Sequence, residues 1–377
     1  MSSKIKILFP VGSLYPNESG GVSLSVYWLL KGLYRTDKVE ITTITTTYGI
    51  STGRIPENVW LDTDYGKVIY LRNKYHKLGF PIIKEFLKKI KHCDIVQLSS
   101  IFYPPSIFCF FIAKFFNKKI IWSSRGSVDD VEFKKMKFFK LVTLFIIKIF
   151  TKNITFHATS NEEVAFIKKR LGNNVNIINI TNYVILPEKV HVQKENYLLF
   201  IGRFHDKKGI DNLLISLKKS SLFISSNFTL KIAGDYNNDY GRQMLELHKS
   251  LDLNNKVVFI GHVEGEEKQK IIAKAYFLFM PSFSENFGIV TAEALSQGTP
   301  VVASIYSPWQ NLQEYQAGFW VDNTSHTLAK TIDQIIQMPS DVYQKYINNS
   351  YQLVKNELDI HNNINKWLQL YSSVHNT

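Results

Sequence analysis

The sequence predicts an α/β protein built from two Rossmann-like domains, and three observations carry that expectation. The chain has 377 residues, more than one ordinary hydrophobic core accommodates. Short β-branched or aromatic runs alternate with helical periodicity, and the alternation restarts after a polar, strand-poor stretch at 185–196. The runs finish in small polar residues or glycine, the pattern of parallel strands that carry a site at their carboxyl ends.

Composition narrows the class. A hydrophobic share of 45% and an aromatic share of 14% mark a folded chain. Cys93 and Cys109 make no disulfide framework and fit a reducing compartment. The opening MSSKIKILFPVGS has too short an apolar stretch for a signal peptide, so a cytoplasmic location is expected. The net charge of +13 is unevenly placed: residues 1–190 hold 28 Lys and Arg against 14 Asp and Glu, and residues 191–377 hold 17 against 18. A basic first half points to an anionic surface, either nucleic acid or anionic lipid.

In chain order, residues 4–10 read as a strand, followed by a turn containing Pro16, Asn17, Gly20 and Gly21. A helix follows from Val22 to Leu33, apolar at 22, 26, 29, 30 and 33. Strand, glycine turn and helix start make a phosphate-approach geometry, with a plain tight turn equally open. Further strands are expected at 39–47, 94–98, 119–122 and 154–158. The last three end in Ser99-Ser100, Ser123-Ser124-Arg125-Gly126 and Thr159-Ser160. Residues 133–152 mix Lys134, Lys135, Lys137, Lys140, Lys148 and Lys152 with five Phe. This is either the solvated face of an ordinary helix or a helix lying on a membrane surface. The uncharged run 101–113 is too short to span a bilayer. In the second half, strands are expected at 197–201, 229–233, 257–260, 276–280 and 300–303, with a helix from Ile210 to Leu217.

Chemistry concentrates between Pro281 and Val302. Glu285 lies in a Ser/Asn/Gly loop and Glu293 lies eight positions on, in an otherwise apolar helix opening at Gly288. A carboxylate there is costly unless paired or given a ligand. The helix start offers backbone N–H groups and a positive dipole end to a phosphate. Arg203 and Lys208 follow the first strand of the second half and supply cations for a diphosphate. Gly202, Gly234 and Gly261 close successive strands.

These residues resemble the retaining GT-B glycosyltransferases of family 4, the group 1 glycosyltransferases. The matching pieces are Phe200-Ile201-Gly202-Arg203 with Lys208-Gly209, Ile232-Ala233-Gly234-Asp235, and Val258-Phe259-Ile260-Gly261. They continue through Pro281-Ser282, Glu285-Asn286-Phe287-Gly288, Glu293-Ala294 and Gly298-Thr299-Pro300-Val301-Val302. Likeness in the first half is confined to Gly20-Gly21-Val22 and Ser124-Arg125-Gly126, where many relatives carry His at the position of Arg125. The resemblance implies two Rossmann-like domains facing across a cleft. Residues 1–185 would bind the acceptor, residues 191–361 the nucleotide-sugar, and a C-terminal helix at about 362–377 would pack back on the first domain.

The resemblance also implies roles. Glu293 takes the ribose hydroxyls and Glu285 the donor sugar. Backbone N–H groups at Asn286, Phe287, Gly288 and Ile289 take sugar and phosphate. Arg203 and Lys208 stabilise the departing diphosphate, and Gly261-His262 reads the base. Arg125 is a candidate at the reacting sugar. His157 is a candidate acceptor contact, with a buried structural histidine as the alternative. No cofactor and no metal are expected; Asp62-Thr63-Asp64 has the Asp-x-Asp form but reads as a loop turn. The expected partners are a nucleotide-sugar, a lipid-linked saccharide acceptor and the inner face of the cell membrane, in bacterial O-antigen, capsule or exopolysaccharide assembly. Two other readings stay open: a GT-B nucleotide-sugar 2-epimerase, and a nucleic-acid-binding protein that would leave both glutamates without a task.

Overall fold

The computed structural model describes residues 4–17, 21–73, 79–130, 133 and 137–377. Gly20, Lys134 and Lys135 lie outside them. The chain forms two compact units, Met1–Ile185 with Ile360–Thr377, and Leu186–Asp359. The two-domain Rossmann-like expectation is borne out.

The first unit holds an eight-stranded sheet in the order β3-β4-β2-β1-β5-β6-β7-β8. Its strands are β1 (Ile5–Pro10), β2 (Val39–Thr46), β3 (Trp60–Thr63), β4 (Gly66–Leu71), β5 (Ile95–Ser99), β6 (Lys119–Ser123), β7 (Ile154–Ala158) and β8 (Asn176–Asn179). Among the described residues only β3 and β4 of this sheet pair antiparallel. Helices α1 (Gly21–Arg35), α2 (Phe80–Lys89), α3 (Pro104–Phe115), α4 (Lys137–Ile149) and α5 (Asn161–Leu171) connect them. One sheet face buries Phe86 of α2, Phe110 of α3, Leu144 and Ile147 of α4, and Ile167 of α5. Strands buried on both faces explain the near-continuous apolar runs of β5 and β6.

The second unit holds a six-stranded, wholly parallel sheet in the order β11-β10-β9-β12-β13-β14. Its strands are β9 (Tyr197–Ile201), β10 (Thr229–Ala233), β11 (Val257–Gly261), β12 (Phe277–Met280), β13 (Val301–Ser304) and β14 (Gly318–Val321). Its longer helices are α6 (Ile210–Lys219), α7 (Asp239–Ser250), α8 (Gly265–Lys274), α9 (Ile289–Ser296), α10 (Ser325–Ile336) and α11 (Ser340–Glu357). The strand order reverses between β9 and β12, which is the switch point where open α/β sheets hold ligands.

The last helix, α12 (Asn365–Asn376), belongs to the first unit. Its Trp367, Tyr371 and Val374 join Leu29, Leu30 and Leu33 of α1 over the second face of the sheet. The return of a C-terminal helix to the first domain is therefore observed.

The structure departs from the sequence reading at the strands it adds. Strands β3, β4, β8 and β14 are not among those the sequence leads one to expect. Asp62-Thr63-Asp64 is consequently not a free loop: Asp62 and Thr63 end β3, and Asp64 sits in the hairpin turn. Thr63 Oγ1 donates to Gly66 O at 2.6 Å, and Asp64 pairs with Lys31 of α1 at 2.9 Å. His157, for which the sequence leaves two readings open, lies at the end of β7 and is fully buried. Its Nδ1 is 2.9 Å from Ser123 Oγ and its Nε2 is 2.7 Å from the Ile180 carbonyl. Gln97 Nε2 donates to the same Ser123 hydroxyl at 2.9 Å, and Tyr371 OH donates to Gln97 Oε1 at 3.3 Å. His157 thus ends a buried polar chain that ties α12 to three strands. With both nitrogens engaged, it is the structural histidine rather than the acceptor contact.

Two outcomes follow from this packing. Trp367 is buried and its ring lies 4.6 Å from that of His157. Trp367→Ala should cost the first unit about 3–5 kcal/mol, read as a lower midpoint for its transition in chemical unfolding. Burial, followed by the nearby Arg125, pushes the His157 imidazole down from 6.5 to about 3. The unfolded chain then binds a proton that the folded one refuses, so stability is lost as pH falls from 6.5 toward about 3. His157→Gln should remove about one proton from the acid-side slope of unfolding free energy against pH. An unchanged slope would contradict a buried neutral ring.

Candidate active site

Two loops meet at the switch point of the second sheet, one after β9 and one after β12. After β9 come Gly202, the exposed Arg203, and a helical turn over Asp206–Lys208 that ends at Gly209. Gly209 has φ +65°, and a Cβ there would lie 2.3 Å from the Pro281 carbonyl oxygen, so only glycine lets the loops close on each other. Phe283 N donates to Lys207 O at 2.8 Å. The Lys208 ammonium pairs with the Glu285 carboxylate, with the two side chains 21% and 17% exposed.

The neighbouring strands end level with this junction. Gly202 N donates to Ala233 O at 3.1 Å, and Gly234 N donates to Gly261 O at 2.7 Å. The structure therefore brings Gly202, Gly234 and Gly261 into one row at the carboxyl edge. His262, beyond that row, is exposed, and its Nε2 is 3.7 Å from Glu264 Oε2.

The second loop leads into α9. Gly288 caps the helix with φ +73°, and a Cβ there would meet Met280 Sδ at 2.4 Å and Glu285 Cγ at 3.2 Å. Asn286, Phe287, Gly288 and Ile289 thus lie at the positive end of α9, beside Glu285. One turn into the helix, Glu293 is 11% exposed and takes the ammonium of Lys268 from α8 at 2.7 Å. The cost of enclosing this acid is offset by a cation from a neighbouring helix.

Four residues that the sequence reading did not single out hold this arrangement. Lys268 neutralises Glu293. Asn323 Nδ2 donates to Pro281 O at 3.0 Å, and the Tyr306 carbonyl accepts from Glu285 N at 3.1 Å. The Trp309 indole N–H donates to Phe287 O, and its ring lies 5.4 Å from that of Phe287. None of the four belongs to a recognisable motif; a tryptophan soon after a strand end was the one visible cue.

In the first unit, Gly21 begins α1, and Arg125 sits in the turn after β6 with φ +50°. Arg125 is buried, and its Nη1 donates to Ser25 Oγ at 2.9 Å and to Asn182 Oδ1 at 2.8 Å. Burial pushes the guanidinium down to about 10, opposed by Glu163 and Tyr371. The turn is fastened by Glu163 of α5, whose carboxylate accepts from Gly126 N, and from Thr159 N at 2.7 Å and Thr159 Oγ1 at 2.9 Å. Ser160 caps α5 by accepting from Glu163 N at 3.2 Å. The Ser-Asn-Glu-Glu string at 160–163 is the sequence signal that would have found Glu163.

Among the described residues, no group of three or more His, Cys, Asp or Glu is placed to hold a metal ion. The enclosed charges at the switch point include two carboxylates, each on a lysine, beside the exposed Arg203.

Residues 185–353 match the family described as Glycosyl transferases group 1. A glycosyltransferase of Methanocaldococcus jannaschii is 32% identical over 165 residues, covering 40% of this chain and 41% of the relative. The O-antigen chain mannosyltransferase RfbU of Salmonella typhimurium is 27% identical over 173 residues, covering 44% and 48%. The chain thus spans less than half the length of these two relatives. The structure of Anabaena HepE in complex with UDP and glucose superposes with a TM-score of 0.74 at 17% identity, covering 98% of this chain and 100% of that one. This last likeness establishes the fold. The family match falls on the second unit, and the whole chain shares the GT-B fold.

Proposed function

We propose that the protein is a retaining, family 4 glycosyltransferase that moves a hexosyl residue from a nucleotide-sugar to a lipid-linked saccharide. The observation that carries this reading is the pair of lysine-neutralised carboxylates, Lys208–Glu285 and Lys268–Glu293, on either side of the Gly288 helix start. Glu293 exchanges part of its hold on Lys268 for the ribose hydroxyls. Glu285 does the same with Lys208 for the donor-sugar hydroxyls, and the released ammonium turns to the diphosphate. Backbone N–H groups from Asn286 to Ile289 receive sugar and phosphate. Gly261 and His262 stand where a base would be read by main-chain groups.

In the reaction, the bond from the anomeric carbon to the diphosphate oxygen breaks and its electron pair leaves with the diphosphate. Arg203 and Lys208 stabilise that growing charge, the largest electrostatic demand of the step, and the scheme calls for no metal. The acceptor hydroxyl attacks on the face the leaving group departs from, through an oxocarbenium-like state. Its proton passes to the leaving phosphate. Arg125, fixed by Ser25 and Asn182, is assigned to the reacting-sugar side of the first unit. A UDP-hexose is the first expectation for the donor and GDP-mannose the second. RfbU, a mannosyltransferase, supports the second, and the UDP and glucose held by HepE support the first. O-antigen, capsule or exopolysaccharide assembly at the inner face of a bacterial membrane is the proposed setting, with the chain attached peripherally.

The reading is tested by a panel of UDP- and GDP-sugars in thermal-shift and transfer assays. One donor should raise the melting midpoint, and its sugar should appear on a lipid-linked acceptor with the anomeric configuration kept. Arg203→Ala should lower kcat about a hundredfold or more, while Glu293→Ala should weaken nucleotide binding about tenfold or more. No stabilisation by any nucleotide-sugar would refute the reading. Wild-type turnover in the Arg203 variant would remove its leaving-group role. An epimerised nucleotide-sugar as the product would put the epimerase in its place.

A further inference from the structure

We infer that the outward faces of α3 and α4 form a single surface that inserts into an anionic lipid bilayer. Helix α4 is apolar on both sides. Its inner side packs Leu144 and Ile147 into the core. Its outer side, where a helix of a water-facing domain is polar, carries Phe138, Phe145 and Ile149, exposed by 82%, 67% and 62%. Helix α3 adds Phe108 and Phe115, exposed by 51% and 85%. The two faces are continuous: the Phe111 and Phe150 rings meet edge-on at 6.3 Å, and Lys114 Nζ donates to Lys152 O at 2.5 Å. An apolar patch of this extent on a folded domain marks a contact surface.

Charge selects the occupant. Neither helix contains an Asp or Glu, and their charged residues are all lysines. A second copy would set lysine against lysine, whereas anionic headgroups pair with the lysines while the rings enter the acyl boundary. No described helix is long and apolar enough to cross a membrane, so the two helices lie along the surface. The lysines expected from sequence to make this contact are only partly the ones available. Lys140 turns inward, buried, with its ammonium 5.1 Å from the Phe102 ring centroid. Aromatic insertion is therefore the main attraction and charge the lesser one. This inference places the membrane contact of the proposed function, yet it needs no donor, acceptor or turnover to be tested.

The test is flotation of the full chain with phosphatidylcholine vesicles, with and without phosphatidylglycerol, at low and high salt. The chain should float with the anionic vesicles and retain much of that binding at high salt. Phe115→Ser combined with Phe145→Ser should lower partitioning about tenfold or more with an unchanged melting midpoint, because both rings are already exposed. Phe108→Ser with Phe138→Ser provides an independent pair should the first alter melting. Equal partitioning of variants and wild type overturns the inference, as does complete loss of wild-type binding at high salt, which would leave charge alone. A wild type that self-associates, ignores vesicles and becomes monomeric in the variants also overturns it, in favour of a second copy.

Discussion

Two carboxylates on one loop and one short helix, largely shielded from water, must be neutralised before anything else at that sheet edge can be stable. Lys208 and Lys268 meet that demand from opposite sides. Lys208 arrives on the turn after β9, next to β12 in the sheet. Lys268 arrives on α8, the connection that leads into β12. The strand order of the second sheet, the closeness of Gly209 to Pro281 and the left-handed cap at Gly288 all serve to bring each cation to its acid. Each enclosed acid at this sheet edge is thereby held against a cation rather than left as a bare charge.

The parts of this arrangement that follow from local chemistry were legible in the sequence. Strand ends rich in Gly, Ser and Thr marked the carboxyl edge, and the Glu285–Glu293 spacing around Gly288 marked the helix start. Lys268 was not legible. On a helix reading GEEKQKIIAK it looks like one more solvated lysine. Only the packing of α8 beside α9 turns it toward Glu293. The β3–β4 hairpin was hidden because its turn residues resemble those of any loop. His157 left two readings open, which the pairing of β7 and the Ile180 carbonyl closed.

The first unit uses the same device in a different form. Arg125 adopts a left-handed conformation that a non-glycine residue does not take without support. Glu163 accepts from the following Gly126 N, while Ser25 and Asn182 hold the guanidinium. An arginine fixed on several sides keeps its direction.

Because α12 belongs to the first unit, that unit is written in two separated pieces of chain, whereas the second is continuous. Trp367, Tyr371 and Val374 follow the whole second unit in the chain, and the core over one face of the first sheet stays incomplete until they are made. The second unit has all of its core residues earlier, although its synthesis starts later. The order of completion during synthesis is thus the reverse of the order in the gene, and the unit with the exposed aromatic helices is the one that waits longest for its core.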